Sequence, residues 1–185
     1  MSLSIEVYMI ELRYPEIQDA EAFYNILKEF DFPYYHAAIP ASIKAEQEWI
    51  ERRKSKRDSG LEFNYAIVYE GNVVGGCEIM INKEYPHIAE LGYFVGKQFW
   101  NKGIASECVN LLEEIAFNQL GIKRIEIRMD PRNARSEKVA IKNGYKKEGV
   151  LKKVMFFNDE YHDNLLYAKL NDDIDNKQSQ KGKLN

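Results

Sequence analysis

The sequence predicts an α/β (α+β) fold, a mixed, mostly antiparallel sheet of about seven strands flanked on both faces by about four helices. Seven runs have strand-like apolar patterning and four carry the helical period. Their order is strand, two helices, a run of strands, then strand–helix–strand–helix and a closing hairpin, which is how a mixed sheet covers both its faces. The apolar share of 45% in 185 residues is enough for one sizeable core.

Ile5 to Leu12 alternates apolar and polar residues and reads as the first strand. Pro15 is expected to open a helix with Ala20, Phe23, Ile26, Leu27 and Phe30 on its apolar face. Asp31 to Ala41 is an aromatic loop with two prolines, and Ser42 caps a second helix that turns Ala45, Trp49 and Ile50 inward and the charged run Glu51 to Arg57 outward. Glu62–Tyr69 and Val73–Ile81 flank a short turn and form a hairpin. After the strand Ile88–Val95, a helix carries Ile104, Cys108, Leu111, Leu112 and Ile115 on one face and ends at Gly121. Ile125, Ile127 and Met129 alternate with Arg124, Glu126 and Arg128, as in a strand buried on one side. Asn133 caps a short helix that stops at Asn143-Gly144, and Tyr145–Phe157 with Tyr161–Leu170 closes the fold. Residues 4–170 read as a single domain and 171–185 as a polar tail expected to be disordered. Met1–Leu3 has the look of an expression scar, and no function is read into it.

Composition excludes several classes. A net charge of −3 gives no electrostatic case for nucleic acid. No apolar run is long enough to cross a bilayer, and no secretory pattern is present. The two cysteines, Cys77 and Cys108, have no partner at metal-ligand spacing, so no metal is expected and a reducing cytoplasm suits the chain.

The segment Leu91–Ala105 carries the most chemistry. An apolar strand ends in a polar, glycine-bearing loop that runs into an amphipathic helix. The start of a helix leaves N–H groups without partners and gathers partial positive charge, which suits a phosphate or diphosphate. Gly103 permits close approach of ligand to backbone, and Asn101 tolerates a left-handed turn.

The string Gln98-x-x-Asn101-x-Gly103-x-Ala105 after a strand resembles the acetyl-CoA diphosphate loop of the GNAT acyltransferases. Ala89-Glu90-Leu91-Gly92-Tyr93, Phe99-Trp100-Asn101-Lys102-Gly103-Ile104-Ala105, Asn133-Ala134-Arg135-Ser136 and Lys142 to Gly149 are similar to the ribosomal-protein N-terminal acetyltransferases, the RimJ/RimL-like subgroup. Element order matches from about Arg13 to Leu170, and the specific part runs from Ala89 to Gly149. One departure is Asn101, which stands where the superfamily loop has its first glycine.

The resemblance implies the GNAT acyl-CoA N-acyltransferase fold, with acetyl-CoA as cosubstrate and coenzyme A as product. The pantetheine arm would pair with backbone at Phe94 and Val95, and the Val95 amide would face the carbonyl oxygen of the thioester. Gln98 belongs to the loop motif. The amides of Asn101, Lys102, Gly103, Ile104, Ala105 and Ser106 would hold the diphosphate, with added charge from Lys102, and Asn133 would bond the pantetheine.

A protonated amine acceptor needs a base, and Glu90 is the candidate, acting through water; its other reading is a salt-bridged carboxylate. Many relatives carry an acidic tyrosine where this chain has Ala140, so Ser136 is the expected partner of the departing sulfur; its other reading is a helix-start serine bonded to its own backbone. Tyr34, Tyr35, His36 and Phe157 are expected to wall the acceptor pocket, and Asp163 to orient the last hairpin. An acyl-cysteine mechanism lacks an activating partner.

The expected activity is direct acetyl transfer to a primary amine within a ternary complex, the amine belonging to a protein N-terminus. The alternatives left open are a small amine (polyamine, amino acid or aminoglycoside) and a non-catalytic acyl-CoA-binding module. The expected partners are thus an amine-bearing peptide or small molecule, with no nucleic acid or membrane. The subgroup often dimerises, so a homodimer is an expectation to test.

Overall fold

The computed structural model describes residues 10–32, 34, 35 and 39–171. Met1–Leu3, the start of the first expected strand, His36 and residues 172–185 lie outside the described residues. One seven-stranded sheet runs in the order β1-β2-β3-β4-β5-β7-β6. Its strands are β1 (Ile10–Arg13), β2 (Glu62–Tyr69), β3 (Asn72–Ile81), β4 (Ile88–Val95), β5 (Arg124–Met129), β6 (Lys146–Phe157) and β7 (Glu160–Leu170). Every neighbouring pair is antiparallel except β4–β5, which is parallel. Two of the antiparallel pairs are tight hairpins. Glu70 and Gly71 in one turn, and Asn158 and Asp159 in the other, all take positive φ. Such turns match the twist of the strands that they join.

Two helices, α1 (Ala20–Leu27) and α2 (Ile43–Asp58), cover one face, where Ala20, Phe23, Ile50 and Ala66 are buried together. On the other face α3 (Ile104–Glu114) and α4 (Ala134–Lys142) pack on the main core, which includes Ile79, Leu91, Cys108, Leu112, Ile125 and Ala140. The buried stripe of α3 is Ile104, Cys108, Val109 and Leu112, whereas the expected Leu111 and Ile115 are only half-buried. The last turns after Glu114 widen to a π-helix, and Gly121, at φ +71°, ends the element as expected.

Pro15 does not open the first helix. Asp19 is buried and accepts from the Glu16 amide at 2.8 Å and from the Arg13 guanidinium at 2.6 and 2.8 Å. Those bonds hold Ile17–Asp19 as a short 3-10 turn, so α1 begins only at Ala20 and ends before Phe30. The charged run on α2 is not all solvated: Arg53 lies 4.5 Å from the centre of the Trp49 ring and, with Lys56, pairs with Glu62 of β2. Ser42 caps α2 as read, accepting from the Ala45 amide at 3.1 Å. No described helix is long and apolar enough to cross a membrane.

Candidate active site

The parallel pair is short. β4 and β5 register only through Ile88–Arg124, Ala89–Ile125 and Glu90–Glu126. Beyond Glu90, β4 stays on β3 as far as Val95, while β5 stays on β7 as far as Met129. The two strands part, and the edge of β4 that faces β5 loses its strand partner from Leu91 onward. A cavity of about 620 Å³ opens there, with Tyr93, Phe94 and Val95 on its wall. Consecutive strand residues point to opposite faces, so Tyr93 and Phe94 can share a wall only if the cavity wraps the edge of the strand.

The β4–α3 loop forms one end of the cavity. Asn101 has φ +62°, the left-handed turn that it was read as tolerating, and Gly103 is left-handed too, at φ +80°. The Trp100 indole donates to the Val95 carbonyl at 2.7 Å and pins the loop to the strand end. The first main-chain bond of α3 runs from the Glu107 amide to the Gly103 carbonyl at 3.0 Å. The amides of Ile104, Ala105 and Ser106 therefore come before any intrahelical acceptor, and all three residues line the cavity. Gln98 and Lys102 are exposed and do not line it; the Lys102 ammonium sits 5.5 Å from the centre of the Phe99 ring, held there by the aromatic surface.

The Ser106 hydroxyl is turned into the protein. It bonds Asn143 Oδ1 at 2.5 Å, and Asn143 Nδ2 donates to the Ser106 carbonyl at 2.7 Å. This buried pair clamps the first turn of α3 to the end of α4. Asn143→Ala should lower stability by about 1–3 kcal/mol, because it leaves buried polar groups without partners. Urea unfolding of the variant beside the wild type checks this.

The first turn of α4 forms the facing wall. Asn133 is its N-cap, with Oδ1 accepting from the Ser136 amide at 3.1 Å. The Ser136 hydroxyl lies 2.9 Å from the Tyr93 hydroxyl. Burial pushes the Tyr93 phenol up to about 12, so it stays protonated across the working range. Ala140 is fully buried in the core.

Glu90 does not line the cavity; it stands at the last registered position before the strands part. Its carboxylate is 3.4 Å from Arg128, which also holds Glu126 at 2.7 Å. Burial raises the Glu90 pKa, Arg128 opposes the shift, and Glu126 and Glu78 add to it. Glu78 lies across from Gly92 and accepts from Asn64 Nδ2 at 2.7 Å; a side chain at Gly92 would meet its carboxylate at 2.8 Å. Both the base reading and the ion-pair reading of Glu90 thus have a physical footing.

Tyr34 and Tyr35 are on the cavity wall, but beside Trp100 and Phe30 at its loop end. Phe157 is not on it: the strand carries it to the far hairpin, where its carbonyl accepts from His162 Nε2 at 3.2 Å. Asp163 orients that hairpin as expected, accepting from the Lys153 amide at 2.9 Å and pairing with Lys152. Cys77 and Cys108 are core residues, and burial pushes the Cys77 thiol well up, which disfavours a nucleophilic thiolate. The described residues hold no cluster of three or more metal-ligating side chains.

The sequence reading quoted Tyr93, Trp100, Arg135 and Lys142 within its motifs but gave neither them nor Lys138 a role of its own, and all five are on the wall. The positions 135, 138 and 142 recur at helical spacing, and that signal was available. The role of Tyr93 depends on Ser136, 43 positions away.

The family described as acetyltransferase (GNAT) domain matches residues 10–146. The chain is 29% identical over 163 residues to the L-amino acid N-acetyltransferase AaaT of Escherichia coli, covering 87% of this chain and 98% of that one. It is 34% identical over 108 residues to the ribosomal-protein-serine acetyltransferase of the same organism, covering 58% and 60%. The crystal structure of the microcin C7 self immunity acetyltransferase MccE in complex with acetyl-CoA and AMP aligns with a TM-score of 0.78 and 25% identity, covering 88% of this chain and 92% of that one.

Proposed function

Since this chain belongs to the GNAT acetyltransferase family and is by that membership an N-acetyltransferase, we propose that it moves an acetyl group from acetyl-CoA directly to a primary amine in a ternary complex. The observation that carries the reading is the parted β4–β5 pair, with an unpaired strand edge at one end of the cavity and partnerless helix amides at the other. An extended polar chain ending in a diphosphate has the shape and chemistry for that space. The relative MccE is described with acetyl-CoA bound, which supports the same cosubstrate here.

Acetyl-CoA supplies an activated acetyl thioester. The amides of Asn101 and of Gly103 to Ser106 hold its diphosphate. The strand edge at Tyr93 and Val95 aligns the pantetheine, with the Asn133 side chain as a further partner; the main-chain groups of Phe94, expected to share this role, face β3 instead. The Val95 amide donates to the carbonyl oxygen as negative charge grows there. Glu90 takes a proton from the amine, through water, from the side of the sheet opposite Ser136. Ser136 donates to the leaving sulfur and is itself backed by the Tyr93 hydroxyl. Burial keeps Cys77 and Cys108 out of the chemistry, which favours direct transfer over an acyl-enzyme.

The favoured acceptor is a protein N-terminal amine, a reading supported by the match to the ribosomal-protein-serine acetyltransferase. An amino acid is the second reading, favoured by the longer match to AaaT. Incubation with acetyl-CoA, a panel of N-terminal peptides and a panel of free amino acids and polyamines, read by mass spectrometry, separates them. Acetylated peptides and no acetylated small amines are expected. The reverse pattern overturns the N-terminal reading, and release of no coenzyme A with any amine overturns direct transfer.

A further inference from the structure

The sheet sets Asn64 of β2, Glu78 of β3 and Gly92 of β4 side by side, on the face that α1 and α2 cover. Gly92 has no side chain, and the Glu78 carboxylate leans over it: a Cβ at Gly92 would meet Glu78 Oε1 at 2.8 Å. Both residues are half-buried, so the place is a notch and not a packed contact. Glu90 and Phe94 flank Gly92 on the same face of β4, so the notch lies between the expected base and the cavity wall.

The notch is rich in hydrogen-bond acceptors and holds no cation. Asn64 Nδ2 donates to Glu78 Oε2 at 2.7 Å, which aims the amide at the notch. Asn64 is only 3% exposed, and its Oδ1 is buried with no hydrogen-bond partner among the described residues. The first turn of α2 adds Glu46, also buried. Glu46 and Glu78 both raise the pKa of the Tyr35 phenol on the cavity wall, as acids close to it do. The cations on this face are engaged elsewhere: Arg53 with Glu62 at 2.6 Å, Arg128 with Glu126 at 2.7 Å and Glu90 at 3.4 Å. Neither Glu46 nor Glu78 has an ion pair among the described residues. Carboxylates and an amide oxygen left this way in a sheltered place cost free energy until a donor with positive charge arrives.

We infer that Asn64, Glu78 and Glu46 seat a second positive charge of the acceptor, a basic side chain close to the N-terminal amine of the peptide. The inference rests on the N-terminal reading above. The reacting amine is not the occupant, because it must shed a proton and unpaired carboxylates hold an amine in its charged form. A basic side chain keeps its charge throughout and brings several N–H donors to these acceptors. By offsetting Glu46 and Glu78 it also eases the loss of the proton from the amine. Glu78 is thus a specificity-determining residue.

Acetyl transfer to two peptides that differ only at the second residue, arginine or its neutral isostere citrulline, tests this on the full chain. The diamine putrescine and the monoamine butylamine run beside them. In the wild type kcat/KM is expected to be about tenfold higher for the arginine peptide, as for a hydrogen-bonded charge. In Glu78→Gln, and separately in Glu46→Gln, that ratio is expected to fall toward one, whereas a purely structural role lowers both rates and keeps the ratio. A wild-type ratio near one, or a ratio that persists in Glu78→Gln, overturns the inference and leaves transfer to N-terminal amines standing. Putrescine outpacing butylamine while neither peptide reacts overturns the peptide as the source of the charge, and the N-terminal reading with it. No transfer to any of the four overturns the acetyl-transfer reading itself.

Discussion

Glu90→Gln lowers kcat by a factor on the order of 10²–10⁴, the usual worth of a positioned general base, and leaves acetyl-CoA affinity unchanged. The second half of the expectation follows from position, since the Glu90 side chain is not on the cavity wall. The pH profile supplies the sharper test. A base works ionised, so activity is lost as pH falls through its pKa. Burial raises the Glu90 pKa, with Arg128 opposing and Glu126 and Glu78 reinforcing. The acid limb of the rate profile should therefore lie above the ordinary glutamate range of about 4.3. Arg128→Gln removes the charge that favours the carboxylate and should move that limb to higher pH. An acid limb that stays in place in Arg128→Gln, or a Glu90→Gln enzyme with normal kcat, reduces Glu90 to an ion-pair residue that steadies the β4–β5 junction.

The second large effect concerns the leaving sulfur. Ser136→Ala and Tyr93→Phe should each lower kcat about 100-fold at unchanged acetyl-CoA affinity, the lower end of the range for acid catalysis. The two hydroxyls are 2.9 Å apart and act as one donor chain, so the double variant should be no slower than the worse single. Fully additive losses would mean that the hydroxyls act separately. A Ser136→Ala enzyme at wild-type rate would leave Ser136 as an ordinary residue in the first turn of α4.

Several parts of this arrangement were legible in the chain because they are local. The left-handed Asn101 and Gly103, the Ser42 and Asn133 caps and the turn before the last strand depend on residues within a few positions of one another. The misplaced helix start at Pro15 was a competition that local rules leave undecided. There a proline that suits a first turn yields to a buried Asp19 gripping both Arg13 and the Glu16 amide. The Tyr93–Ser136 contact spans 43 positions and exists only because β5 and α4 return beside β4. Likewise, Glu90 meets Arg128 only across the one parallel pair. Lys102 shows the opposite limit: a loop motif marks where the backbone turns, and the outcome for the side chain depends on aromatic neighbours such as Phe99.

The claim on which the rest depends is that acetyl-CoA lies along the parted edge of β4 with its diphosphate at the start of α3. Backbone amide resonances followed while acetyl-CoA is added to the full chain test it most directly. The account predicts saturable shifts concentrated at Tyr93, Val95 and Gly103 to Ser106, with β1 and β2 unmoved. Saturable binding whose shifts lie elsewhere, with those amides unperturbed, would contradict it.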